Sequence, residues 1–214
     1  MKKLIYILFI IPLVLINGQK IGKLANEKPH LNFPDNSLGL DIMIGEGGFG
    51  IGGFYRYDFS NQITGFADIS VYESKSEREI QRYDYWGYPL PIQGKKNRVF
   101  LLPLNFGIMY RLFYTDLTDN LRPFINFGIG PTMIITTPAV EEFFNSFRQA
   151  KSHLGVGGYI GLGTNIGNNI GSLTGVSIRY YITQVVNGGI EQFEGDFKKS
   201  LQQVTLTINI GIMY

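Results

Sequence analysis

The chain has 214 residues, no cysteine, and 19 Lys plus Arg against 17 Asp plus Glu. Setting Lys2 and Lys3 aside, the charges balance at 17 against 17, which leaves no electrostatic basis for binding nucleic acid. The missing cysteines exclude a disulfide framework and a lipidated N-terminal cysteine.

In chain order, Lys2 and Lys3 precede an unbroken apolar run over residues 4–16, followed by Asn17, Gly18 and Gln19. This is the layout of a secretory signal peptide, expected over residues 1–18. Its 13 apolar residues fall short of the roughly 20 that a membrane helix needs; a retained N-terminal anchor is the alternative. Residues 19–36, with Lys23, Glu27, Lys28 and Pro34, read as a poorly ordered periplasmic lead-in. Beyond the leader no apolar run reaches membrane-helix length, so insertion into a bilayer would have to use strands. The remaining chain of about 196 residues fits one domain, expected over residues 37–214.

Period-two alternation of apolar with polar or small residues then predicts strands over 38–46, 49–58, 63–73, 98–113, 121–136, 154–166, 172–184 and 201–214. The last is the clearest. Val204, Leu206, Ile208, Ile210, Ile212 and Tyr214 share one face, and Gln203, Thr205, Thr207 and Asn209 share the other. Each segment meets or nearly meets the 9 to 11 residues, roughly, of a tilted membrane-spanning strand. After a tight first hairpin at 46–48, the connections alternate short (59–62, 114–120, 167–171) and long (74–97, 137–153, 185–200). Short turns on the periplasmic side and longer loops outside are the pattern of an outer-membrane barrel, which places both termini in the periplasm.

Parity sorts each strand into two faces. The outward set runs from Leu38, Leu40 and Ile44 through Phe49, Ile51, Ile69, Phe106, Ile108, Phe127, Ile160 and Ile178, and contains no charge. The inward set contains Asp41, Arg56, Asp68, Asn105, Arg111, Arg122, Asn126, Asn165 and Arg179, with many glycines. A soluble ligand-binding barrel would invert this polarity. The expected fold is therefore all-β: an eight-stranded antiparallel up-and-down transmembrane β-barrel, with a soluble barrel or sandwich as the alternative. Pro103, Pro123 and Pro131 each remove a ladder donor, and a bulge or irregular pairing is expected near each.

The stretch Arg98-Val-Phe-Leu-Leu-Pro-Leu-Asn-Phe-Gly-Ile-Met-Tyr-Arg-Leu112, followed by Leu121-Arg-Pro-Phe-Ile-Asn-Phe-Gly-Ile-Gly130, resembles the porin-like outer-membrane β-barrel domain family. The resemblance covers these two strands in motif and nearly the whole chain in layout. It implies an OmpX-like or OmpA-like eight-stranded barrel in the cell outer membrane, in a family whose members mostly lack an assigned activity. It further implies that Gly211 and Tyr214 form the terminal signal read by the barrel-assembly machinery.

Candidate sites fall into three groups. Arg56, Arg111, Arg122 and Asp41 are expected to gather at the inner mouth, and Asp68 with Arg179 higher in the lumen. Two aspartates cannot balance four arginines, so water or glutamates are expected to contribute. This lumen network reads as a structural plug, with a conduction pathway as the competing reading. The second group lies in the loops, where Tyr83, Tyr85, Trp86 and Tyr88 stand among Lys75, Arg78, Arg82, Lys95 and Lys96, and Phe143, Phe144 and Phe147 lie on one side of a short helix. Rigid aromatics among charges suit contact with an extracellular protein or glycan; the competing reading is contact with lipid headgroups or packing over the mouth.

The third group concerns catalysis and cofactors, and yields none. Gly45-Glu-Gly-Gly-Phe-Gly50 matches a dinucleotide fingerprint in spacing, but a strand follows it where a helix is required. His30 and His153 lack a second ligand at metal spacing. His153 is followed by Leu154 and Gly155, so the His-x-Ser pattern of lipid deacylases is missing, and Ser152 with Glu141 or Glu142 makes a poor triad. The sequence reading is thus a non-enzymatic outer-membrane barrel with a structural or adhesion and partner-binding role. A narrow porin and a lipid-modifying enzyme are the alternatives, in that order.

Overall fold

The computed structural model describes residues 30–76, 78–80, 82–88, 90, 92–186 and 188–214. The signal peptide expected over 1–18 and the first part of the lead-in lie outside them. Strands β1 (Asn36–Gly45), β2 (Gly48–Asp58), β3 (Ile63–Ser74), β4 (Asn97–Arg111), β5 (Leu121–Pro138), β6 (Lys151–Ile166) and β7 (Ser172–Val185) are followed by a small hairpin, β8 (Ile190–Phe193) and β9 (Asp196–Lys198). The chain ends with β10 (Ser200–Met213). The eight long strands close into an antiparallel barrel in the order β1-β10-β7-β6-β5-β4-β3-β2, and β8 and β9 form a separate two-stranded sheet. Closure leaves no unpaired edge.

The predicted boundaries agree with these strands within a few residues. The chief differences are at the loop end, where β5 and β6 continue until Thr136 faces Lys151. The prolines behave unequally. The ladder runs through Pro123 and Pro131 on the β6 side. Pairing between β4 and β5 is interrupted between Pro103↔Thr132 and Phe106↔Ile129, and resumes in the same register. Strand ends on both sides hold the register, so the missing donors cost local bonds without producing a bulge.

Outward residues form an exposed apolar belt that includes Leu40, Phe49, Ile69, Ile108, Phe127, Leu162 and Ile178. The interior is more apolar than its inward charges imply. Phe66, Tyr72, Met109, Phe124, Tyr159 and Tyr181 are buried in one cluster with Leu101 and Ile134. The rings run Phe66 to Tyr159 at 6.0 Å, Tyr159 to Tyr181 at 4.8 Å and Tyr181 to Tyr72 at 5.4 Å between centroids. Inward glycines make room for them: a Cβ on Gly107 would stand 2.5 Å from the Phe66 ring, and one on Gly128 2.9 Å from that of Tyr159. These glycines are thus the counterpart of the rings beside them.

Candidate functional site

In the middle of the lumen, Asp41 and Asn209 face each other across the β1–β10 pairing, and the Asn209 amide donates to the Asp41 carboxylate. Arg179 on β7 reaches the same carboxylate at 2.8 Å, with both side chains almost wholly buried. Its guanidinium also donates to the Tyr181 hydroxyl at 3.3 Å and lies 5.1 Å from the centre of the Tyr159 ring. Asp68 accepts from Asn105, its partner across β3–β4, at 2.9 Å, and from the Tyr159 hydroxyl at 2.7 Å. Arg179 thus pairs with Asp41 where sequence reasoning had grouped it with Asp68. Asp68 is instead held by neutral donors, and Asp41 belongs to the middle of the lumen, not the inner mouth. Parity alone cannot make this assignment, because it depends on which strands meet around the closed ring.

At the end that carries both described chain ends, Arg111 donates to Asp119 at 2.7 Å. Asp119 lies in the turn after β4 and also accepts from the Leu31 amide at 2.6 Å, with His30 Nδ1 at 3.3 Å. The His30 ring stacks on Tyr114 with centroids 4.3 Å apart. Burial by itself would raise the Asp119 carboxyl, but the hydrogen bonds from Arg111, Leu31 and His30 together hold it below its usual value. Residues 30–35, the described part of the lead-in, are therefore docked on the terminal mouth. Arg122 lies 3.9 Å from the centre of the Phe33 ring, and Arg56 4.2 Å from that of Phe54. Asp119 thus pairs with Arg111, while aromatic faces lie against Arg56 and Arg122. The signals missed were a turn carboxylate and a lead-in aromatic, since period-two reasoning does not extend into turns.

At the other end, the β8–β9 hairpin folds over the mouth and locks onto the loop between β3 and β4. Ile190 and Gln192 are buried, and the Gln192 side chain donates to the Ser74 carbonyl at 3.0 Å. The Lys96 amide donates to the Gln192 carbonyl at 2.8 Å. Ion pairs join Lys96 to Glu191 at 2.6 Å and Lys95 to Glu79 at 2.5 Å. The Lys96 hydrogen bond, with the Gly195 amide, lowers the Glu191 carboxyl.

From this base the loop projects an aromatic turn. The Asp84 carboxylate accepts the amides of Trp86 at 2.9 Å and Tyr88 at 2.8 Å, and Gly87 takes φ +81°. The result holds Tyr85 and Trp86 edge to face at 5.4 Å, with Tyr85 94% and Trp86 79% exposed; Tyr83 and Tyr88 are exposed beside them. The other aromatic group is placed differently. Phe143 lies in α1 (Phe143–Ser146), followed by a 3-10 turn, Phe147–Gln149. Phe143 and Phe147 pack on Phe100 at 6.0 and 5.6 Å, and Phe144 packs on Phe143 at 5.2 Å. Phe100 occupies an outward position of β4, so this cluster clasps the outer wall.

The sequence matches no known family model and no curated protein. Its structure is similar to the N-terminal β-barrel domain of OprF from Pseudomonas aeruginosa, at 11% identity, with 86% of this chain and 100% of that one covered and a TM-score of 0.48. Neisserial surface protein A is similar at 10% identity, over 84% of this chain and 94% of that one, with a TM-score of 0.47. The attachment invasion locus protein Ail of Yersinia pestis is similar at 11% identity, over 84% and 96%, with a TM-score of 0.43.

Proposed function

We propose that this chain is a non-enzymatic outer-membrane barrel that displays the aromatic turn at residues 83–88 to an extracellular protein or glycan. The charge-free outer belt supports the membrane setting, because such a surface would be unstable in water and matches acyl chains. In this reading the chain ends lie in the periplasm and the long loops outside, an arrangement that the alternation of short and long connections supports. In this reading Gly211 and Tyr214 present the terminal signal to the barrel-assembly machinery, and the Phe100, Phe143, Phe144 and Phe147 cluster sits at the level of the lipid headgroups.

One observation carries the recognition role: four aromatic side chains are exposed on a turn braced by Asp84, so their order costs little further entropy on binding. Less supports a narrow porin, since rings and a buried ion pair occupy the lumen. The role is tested with protein in nanodiscs applied to a glycan array and to a panel of extracellular-matrix proteins. Saturable binding is expected for the wild type, falling by about tenfold or more in Tyr85→Ala/Trp86→Ala, with the unfolding midpoint unchanged. Binding that is absent from every surface, or indifferent to this double change, would refute the role.

A further inference from the structure

A cavity of about 230 Å³ lies at the terminal mouth, between the docked lead-in and the barrel wall, and Arg56, Arg111 and Arg122 line it together with Asp35 and Asp58. Arg111 is committed to Asp119, and the Asp58 carboxylate accepts from the Thr64 hydroxyl. Arg56 and Arg122 are 3% and 7% exposed, yet neither has a carboxylate within 4.0 Å among the described residues. Among the described residues each of them has one long hydrogen bond of 3.4 Å, from Arg56 to the Asn165 side-chain oxygen and from Arg122 to the Gly167 carbonyl. The Nε of Arg122 is buried without an acceptor. A guanidinium carries five donors in a rigid fork, and buried donors left unused are costly.

We propose that this cavity is an oxyanion site in which Arg56 and Arg122 clamp a phosphate group. A phosphate accepts several charge-assisted hydrogen bonds at once and matches the planar fork in a way that chloride does not. The Asn165 side chain, whose oxygen is turned to Arg56, also lines the cavity. Leu31 and Phe33 form part of the wall, so occupancy also tightens the docking of the lead-in.

The phosphate could be free or belong to a lipid headgroup, and two arms of one experiment separate these sources. The full chain, in detergent free of phospholipid, is titrated with inorganic phosphate at constant ionic strength and followed by equilibrium dialysis. In parallel, protection of the Leu31 amide from hydrogen exchange is measured in nanodiscs of a phosphate-free diacyl galactolipid with and without phosphatidic acid. Saturable uptake, at least about tenfold weaker in Arg56→Gln and Arg122→Gln and unchanged in Arg98→Gln at the far end, supports the site with free phosphate. Protection by phosphatidic acid alone supports it with a lipid headgroup. If the arginine variants fail to fold, the wild type still decides: sulfate should displace phosphate where chloride at the same ionic strength does not. No uptake and no protection in either arm, or equal loss in all three variants, overturns the proposal.

Discussion

Arg179 and Asp41 show what a single residue contributes here. Each is buried, and the two form an ion pair, so removing one leaves an uncompensated ion. Arg179→Gln is expected to cost about 3–5 kcal/mol, read as a lower urea midpoint for the folded barrel in lipid vesicles. Arg179→Gln combined with Asp41→Asn should recover much of that loss, since no bare charge remains. Asp119 allows a prediction in pH. Its folded carboxyl is depressed, so its contribution is complete above the ordinary carboxylate value and is lost as pH falls through the folded one. Protection of the Leu31 amide, corrected for intrinsic exchange, should therefore be flat near neutrality and decline in acid. In Asp119→Asn it should be reduced near neutrality, and the difference from the wild type should vanish in acid.

Among the elements, the β1–β10 seam is closely fitted. Gly39 faces Gly211 across it, and a Cβ on Gly211 would stand 2.5 Å from the Leu38 carbonyl oxygen. Gly211→Ala must therefore push the seam apart, at an expected cost of about 1–3 kcal/mol in unfolding from vesicles. Tyr214 is exposed at the same rim, and Tyr214→Ser should leave stability nearly unchanged while lowering the yield of assembled barrel in cells. The contrast separates a packing role from a signal role. Strand positions were legible because alternation is local, with period two written into each segment. The β8–β9 hairpin was not, since its four- and three-residue strands are too short to display a period.

At the scale of the whole molecule, both ends of the barrel are covered, by residues 30–35 at one and the β8–β9 hairpin at the other, and aromatic rings fill the space between. Planar-bilayer recordings of the purified protein should show no steady open current, and sustained conductance would contradict a filled lumen. What the sequence determined by itself was the wall: the eight strands, the loop-length alternation, and the outward and inward faces all follow from local periodicity and turn chemistry. Only the tertiary structure decided the partners inside. Closing the ring selects which inward side chains meet, so Arg179 finds Asp41, Arg111 finds Asp119 in a turn, and Arg122 rests on Phe33 from the lead-in. Those pairings join residues far apart in the chain through barrel closure and turn placement, which no local pattern encodes.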